Sequence, residues 1–430
     1  MTGGARIIAA DRSQLCWDMV DLESQLAGDH RARIVWAWVE QLDLSGFYAR
    51  IKSRDDHPGR SAADPRVLLA LWLYATLEGV GSARSLDRLC RTDAAYRWLC
   101  GGVPMNYHGL ADFRVDHGDL LDQLMTQSLT ALIAEGLVTL DEVAIDGTKV
   151  AASAGRGSYA KGRRLAHLER EVGERIAALK AEVAADPAGG ERRRKAARLG
   201  KAEAMARRIA SAQRKIKQLE EEREKAAEKH AADAKRKKPP KASTTDPEAR
   251  YMRFPDGATR PGYNLPVATA QDFVVAIDVT DRRDDSGLAP LLVDQIRART
   301  GQVPRRMLAD TRCITRDDLV SFDERWPQMT VYSPPPPEKQ EASPQSIRKR
   351  QWRHDNEPQP VKAWRSRMAS EEGQAVYARR KHTERAHGRM KNRGLAKLMV
   401  RGFEKVRATA LLHALADNLW RAHTFRLAKA

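Results

Sequence analysis

The sequence predicts a mixed α/β protein, a sheet flanked by helices that follows an all-α N-terminal domain and is interrupted by a long helical hairpin. Three observations predict it. Apolar residues recur every three to four positions through residues 1–138, and the period drops to two at TLDEVAIDGTKV (139–150). From Lys161 to about Lys241 the composition turns to Ala, Glu, Lys and Arg with almost no aromatic residue.

The first 138 residues carry RARIVWAWVEQL, PRVLLALWLYATLEG, SARSLDRLCR and DLLDQLMTQSLTALIAEG, helices separated by turn signals such as HPGRSAADP. In TLDEVAIDGTKV, Val143 and Ile145 alternate with polar neighbours, and Asp146-Gly147 reads as a turn that ends a short strand. The insertion over 157–242 follows. Leu165, Leu168, Val172, Ile176, Leu179 and Val183 form one apolar seam, DPAGG (186–190) a turn, and Leu199, Met205, Ile209, Ile216 and Leu219 a second seam. An antiparallel hairpin is expected, ending in the basic linker AKRKKPPK. It is either an arm that touches DNA or self-associates, or a solvated structural hairpin.

Strands return at YNLPVATA and DFVVAIDVTD, an adjacent pair, and at RRMLAD and QMTVYS; GLAPLLVDQIRART and TRDDLVSFDERW read as helices. Residues 333–360 have the proline and charge content of a loop. C-terminal helices close a second domain that runs over 139–430.

With 430 residues and 42% hydrophobic content the chain can bury two or three cores. Seventy-five Lys and Arg against 57 Asp and Glu give a net +18, which implies a polyanionic partner, nucleic acid being the commonest. The beginning, MTGGARIIAADRSQ, has no long apolar core followed by a cleavage site, and VLLALWLYATL is too short to span a bilayer. Cys16, Cys90, Cys100 and Cys313 show no C-x-x-C pairing, against a zinc module or a disulfide framework. A cytoplasmic, reduced protein with no membrane partner is expected.

YARRKHTERAHGRMK (377–391) sets one carboxylate, Glu384, among six Arg and Lys. On a helix, Tyr377, Arg380, Glu384 and Lys391 share one stripe, with Gly388 leaving room beside them. Taken alone, this is a basic helix with one Arg380–Glu384 ion pair. Asp146 and Asp310, at the ends of two expected strands, change that reading, because strand ends are where sites collect in such folds and convergent carboxylates can hold divalent ions. Asp284 and Asp285, ahead of the helix at 287, either assist a metal or stabilise the helix N-terminus.

These residues resemble a family: bacterial insertion-sequence transposases of the DDE class, which have an RNase H-like catalytic core. AIDGTK looks like the first-aspartate strand, MLAD like the second, and Tyr377, Arg380, Glu384 and Lys391 match the signature around the third acid at every fixed position. SARSLDRLCR…YRWLCGG…FR (Phe113, Arg114), FPDGATRPGYN (254–264) and RGFEKVRATALLHALADNLWR extend the likeness over most of the chain. One departure is that Thr311, Arg312 and Cys313 stand where the family commonly has a small residue, glycine and tyrosine.

The resemblance implies a transposase that recognises the terminal inverted repeats of its element through residues 1–138, pairs them as a homodimer, and cuts and joins double-stranded DNA. It implies Asp146, Asp310 and Glu384 as catalytic ligands of two Mg2+ or Mn2+ ions. Tyr377, Arg380, Lys391 and Lys149 would contact DNA, with Trp352 and Trp364 either holding a displaced base or packed in the core. A metal-dependent nuclease on the same fold and a catalytically silent DNA-binding descendant stay open as alternatives.

Overall fold

The computed structural model describes residues 21–53, 61–185, 191–229, 239–337 and 343–429. The DPAGG turn, Cys16 and the rest of the first 20 residues, part of HPGRSAADP and most of AKRKKPPK lie outside the described residues. Helices pack around a curled mixed sheet. No helix among the described residues is long and apolar enough to cross a membrane.

The sheet is built around β1 (Glu142–Ala151). Flanking the hairpin are the short strands β2 (Tyr159–Ala160) and β3 (Ala242–Ser243), followed by β4 (Arg250–Arg253), β5 (Thr259–Ala270), β6 (Phe273–Ile277), β7 (Arg306–Ala309) and β8 (Thr330–Tyr332). β5 pairs antiparallel with β1 on one side; β7 and then β8 add in parallel on the other. β4 and β6 share the outer edge of β5. The expected pair at 263–281 is present, joined through Gln271 and Asp272, both at positive φ (47° and 71°).

Three expectations are corrected. β1 does not stop at Asp146-Gly147 but runs on to Ala151, so Asp146 is a mid-strand residue. The turn tendency of that dipeptide loses to an uninterrupted antiparallel partner, since β5 supplies a residue opposite every position from Ala144 to Ala151, with Pro266 facing Gly147. The second correction concerns 333–360, where helices Pro344–Asp355 and Gln359–Ala369 replace much of the expected loop, residues 338–342 lying outside the described ones. Both prolines concerned sit where helices accept them: Pro344 begins the first helix and Pro360 lies in the first turn of the second. Third, the signature is not one continuous helix. A helix ends at Tyr377, Ala378–Arg380 form a 3-10 turn, Lys381–Met390 are α-helical, and Lys391–Leu395 widen into a π-turn.

The N-terminal helices form where expected, and side-chain caps mark their starts: Asp64 before Pro65–Leu77, Ser82 before Ala83–Thr92, Asn106 before Tyr107–Asp116. Their core continues past residue 138. Leu69, Leu73, Leu86 and Leu121 pack in one cluster with Val150 and Leu265 of the sheet and with Leu411, Leu415 and Leu419 of the C-terminal helix Phe403–Lys429. Each such leucine contributes about 2 kcal/mol by leaving water.

The C-terminal helix also carries polar locks. The Asn418 amide accepts from the Val274 N–H (2.8 Å) and donates to the Val274 carbonyl (2.7 Å), completing both backbone groups on the free edge of β6. Asp417, fully buried, accepts from Arg389 (2.8 Å) and Arg393 (2.8 Å), tying this helix to the signature segment.

Over the hairpin stretch stand helices Gly162–Ala185 and Arg192–Lys229, packed against each other, with an Ala160, Leu165, Ala212, Ile216 and Ala242 cluster at their neck. Gln213 donates to Glu169 (2.8 Å) across the pair. At the root, Lys215 meets Asp281 at 2.8 Å and Arg250 meets Glu222 at 3.2 Å, fastening the long helix to the sheet domain.

Removing the charge of Asp417 leaves Arg393 without the counter-charge it pairs with here and Arg389 with only Asp272, at 3.7 Å. Asp417→Asn is expected to cost about 3 kcal/mol of stability, seen as a lower melting temperature by calorimetry; a loss below about 1 kcal/mol would remove the pair from this role.

Candidate active site

Register brings the backbone of the first two aspartates to neighbouring positions, although the tight cluster of ligand atoms holds Asp146 and neither Asp310 nor Glu384. In the parallel pair β1/β7, Ile145 stands opposite Ala309, so the next residues, Asp146 and Asp310, lie side by side although 164 positions apart. Asp310 follows β7 directly, as its sequence position predicts, and its carboxylate accepts from the Thr311 N–H (2.8 Å). Ser333, at the end of β8, donates to the Asp310 carbonyl (3.1 Å) and holds the turn.

A third acid joins from the loop after β6. Asp285 lies across β1 at Gly147, where a Cβ would come within 1.7 Å of its Oδ1. Only a residue without a side chain allows this approach. The Asn264 amide on β5 donates to the same oxygen at 2.5 Å. Asp146, Asp285 and Cys313 each place one oxygen or sulfur within 4.8 Å of the others. Of the three, Asp285 had only its helix-flanking position to mark it. Cys313 was visible solely as the departure after the second aspartate, and Asn264 had no signal beyond membership of FPDGATRPGYN.

Burial sets the electrostatics. It pushes the Asp146 carboxyl up to about 6; Arg380 pulls it down, Asp285 and Asp310 push it further up, and the Gly147 N–H favours the anion. Asp285 is also raised by burial, against the Asn264 amide and Lys149. The Cys313 thiol, buried beside Asp285 and Asp146, is pushed far above its usual range and stays neutral. Acids whose pKa burial and mutual repulsion raise fit a hard cation bound through carboxylate oxygens, while a neutral thiol is a poor partner for magnesium.

The signature segment faces this cluster. Arg380 bridges two carboxylates, donating to Asp146 Oδ2 (3.1 Å) and to Glu384 Oε1 (3.0 Å). Burial opposes its charge most strongly of any single effect, but Asp146, Tyr377, Asp310 and Glu384 together outweigh it and hold the guanidinium above its ordinary pKa. Glu384 itself is 60% exposed and reaches the cluster through Arg380. Tyr377 lies 5.8 Å under Arg380 and packs on the sheet core, and burial raises its phenol. Lys391, at the start of the π-turn, is half-buried; burial lowers its ammonium against the attraction of Asp146. Lys149 donates to the Arg253 carbonyl (2.8 Å) and attracts Asp285.

Much of the basic charge here is structural. Arg379 pairs with Glu142 (3.3 Å), Arg385 with Asp272 (3.3 Å), and Arg389 with Asp417. Thr383 and Thr269 share a buried hydrogen bond of 2.7 Å that pins the helix on β5. Trp364 is core, its indole N–H donating to the Ser333 carbonyl (2.9 Å), whereas Trp352 is 65% exposed.

Comparison with known families meets this geometry at both ends of the chain. Residues 339–423, which include the whole signature segment, match the family model described as "Transposase DDE domain". Residues 20–116 match "Transposase domain (DUF772)". No curated protein and no solved structure matches the chain. The two matches, on separate stretches and in agreement, support a transposase of the DDE type.

Proposed function

We propose that the chain is the DNA transposase of an insertion sequence, with an RNase H-like catalytic sheet. The observation that supports this reading is the β1/β7 register, in which Asp146 and Asp310 each follow the paired residues Ile145 and Ala309, together with Arg380, which links Asp146 to Glu384 in a segment (339–423) similar to a transposase DDE domain. The sheet supports it further: three antiparallel strands (β6, β5, β1) continue into two parallel ones (β7, β8), with β1 in the centre. The substrate is double-stranded DNA carrying the element's terminal inverted repeats, which the N-terminal helices recognise and a homodimer pairs.

Asp146, Asp310 and Glu384 are the proposed ligands, with Asp285 and its Asn264 bond at hand for an oxygen of the same site. Two divalent ions bound there would activate the attacking water or 3′ hydroxyl and stabilise the leaving oxygen. Arg380 neutralises Asp146 and Glu384 in the free protein and passes to a phosphate as DNA enters, leaving both carboxylates to a cation. Lys391 offers a second positive contact beside Asp146. Tyr377 orients the guanidinium from below.

Metal binding should be visible without turnover. Mg2+ or Mn2+ is expected to raise the melting temperature of the wild type by mass action. Asp146→Asn and Asp310→Asn should lose that rise and abolish cleavage of a terminal-repeat duplex while still binding it. Cleavage at the wild-type rate in either variant would remove that residue from the site. Recovery of joined product separates a transposase from a nuclease that only cuts.

Glu384 and Arg380 should behave oppositely. Glu384→Gln is expected to lose cleavage and keep DNA affinity, because a carboxylate near phosphates repels them until a cation arrives. Arg380→Ala should weaken binding and reduce the salt slope by about one unit. If Glu384 serves only its ion pair, Glu384→Gln will cut normally and cost only a few tenths of a kcal/mol, about the worth of an exposed i,i+4 pair.

A further inference from the structure

The hairpin's charge is distributed unevenly, and neither the acid cluster nor the signature accounts for it. Residues 191–217 contain eleven Lys and Arg against two Glu, a net +9 that is half of the whole chain's +18. The rest of the same helix, 218–229, has five Glu against three Lys and Arg, and the facing helix Gly162–Ala185 is close to neutral with five against four. Positive charge is therefore concentrated on the part of the long helix that leads away from the sheet.

From that concentration we infer that the outer part of helix Arg192–Lys229 is a second DNA-binding surface, an arm that lies along the phosphate backbone of duplex DNA beyond the cleavage site. The inference rests on the proposed action on DNA and adds where the flanking duplex is held.

The arm's construction supports a polyanion over a second copy of the chain. Its apolar side chains turn inward along the seam: Leu165, Leu179, Ile209, Ile216 and Leu219 are buried within the hairpin and its neck, and Leu168, Val172, Ile176, Val183, Leu199 and Met205 are half-buried. Among the described residues none of these seam side chains is fully exposed, and two +9 surfaces repel, which disfavours a second hairpin as the occupant. On the outward side Arg193, Arg207 and Arg214 recur at multiples of seven residues, which keeps them within about 60° on one face, and Lys217 lies nearby. All four are exposed. Among the described residues, none of the four has a carboxylate partner, in contrast to the arginines of the signature segment, which are mostly spent on intramolecular pairs.

Root contacts give the arm a fixed origin. Lys215 pairs with Asp281 (2.8 Å), and Asp281 belongs to the same loop as Asp285, which lies over β1 beside Asp146. From Lys215 to Arg193 the helix rises about 33 Å, close to the length of ten base pairs of B-DNA. A backbone track of that length, anchored next to the acids, suits duplex bound through phosphates with no sequence reading of its own.

The test uses the full chain and a 40-base-pair duplex of arbitrary sequence, with affinity followed by fluorescence anisotropy across salt concentrations. The variant Arg193→Gln, Arg207→Gln, Arg214→Gln, Lys217→Gln should flatten the log Kd against log salt slope by about three to four units, at roughly 0.9 per phosphate contact. Arg207→Gln with Arg214→Gln alone should remove about half of that change. Gln is a good helix former, and an unaltered circular dichroism spectrum checks that the arm is intact. A slope within about half a unit of the wild type in the double and quadruple variants overturns the arm, while a steep wild-type slope keeps the DNA reading itself. A wild-type protein that does not bind the duplex at any salt overturns both. Unchanged slope with a fall in solution mass from dimer to monomer would assign the surface to a second copy instead.

Discussion

Everything at the candidate site depends on one register, the parallel pairing that sets Ile145 opposite Ala309. A slip by one residue would turn Asp146 or Asp310 to the opposite face of the sheet and separate the two carboxylates, because side chains alternate with a period of two. The register is held by burial on both faces. Val143, Ile145 and Met307 pack in one cluster with the helices on one side, while Ala144 and Leu308 meet Val376 on the other, directly before the signature. Core packing thus fixes the chemistry's geometry, and the acids themselves contribute only repulsion.

That repulsion is managed by arginine. Arg380 sits between Asp146 and Glu384, and farther along the segment Arg389 and Arg393 neutralise the buried Asp417, while Arg385 and Arg389 converge on Asp272 at the β5–β6 turn. Guanidinium groups suit this task because they donate in two directions from a flat, always-charged group. The consequence for function is a division of labour within one stretch. Some basic side chains hold the helix on the sheet, and Arg380 and Lys391 face the acids.

The two regions with similarity to transposase domains are physically continuous. Leucines from the N-terminal helices, the strand β5 and the C-terminal helix share one core, so the helices that precede the sheet in sequence stand on a helix that follows it. The hairpin is the opposite case. It has its own seam and meets the sheet domain through a narrow neck and a few ion pairs at its root, and it carries charge outward instead of closing a core.

The amino-acid pattern alone was enough for the helices of the N-terminal region, the hairpin, the β5–β6 pair, the strand leading to Asp310 and the spacing of Tyr377, Arg380, Glu384 and Lys391, because each is a matter of local period, caps and composition. Where local signals and tertiary context disagreed, context prevailed. Asp146-Gly147 reads as a turn until β5 supplies a partner on the other side, and the same glycine then serves to admit Asp285. Proline and charge in 333–360 read as a loop, which holds for Pro334–Pro337, yet Pro344, Pro358 and Pro360 occupy helix starts. The stripe expected from 100° per residue is broken by a 3-10 turn, so Glu384 reaches Asp146 through a guanidinium instead of standing beside it on an ideal helix. Asp285, Asn264 and Cys313 join the site from three separate segments. The sequence left Asp285 between a metal and a helix N-terminus and gave no role to Asn264 or Cys313, since periodicity reports which face a residue occupies within its own element and carries no information on which distant element will be packed against it.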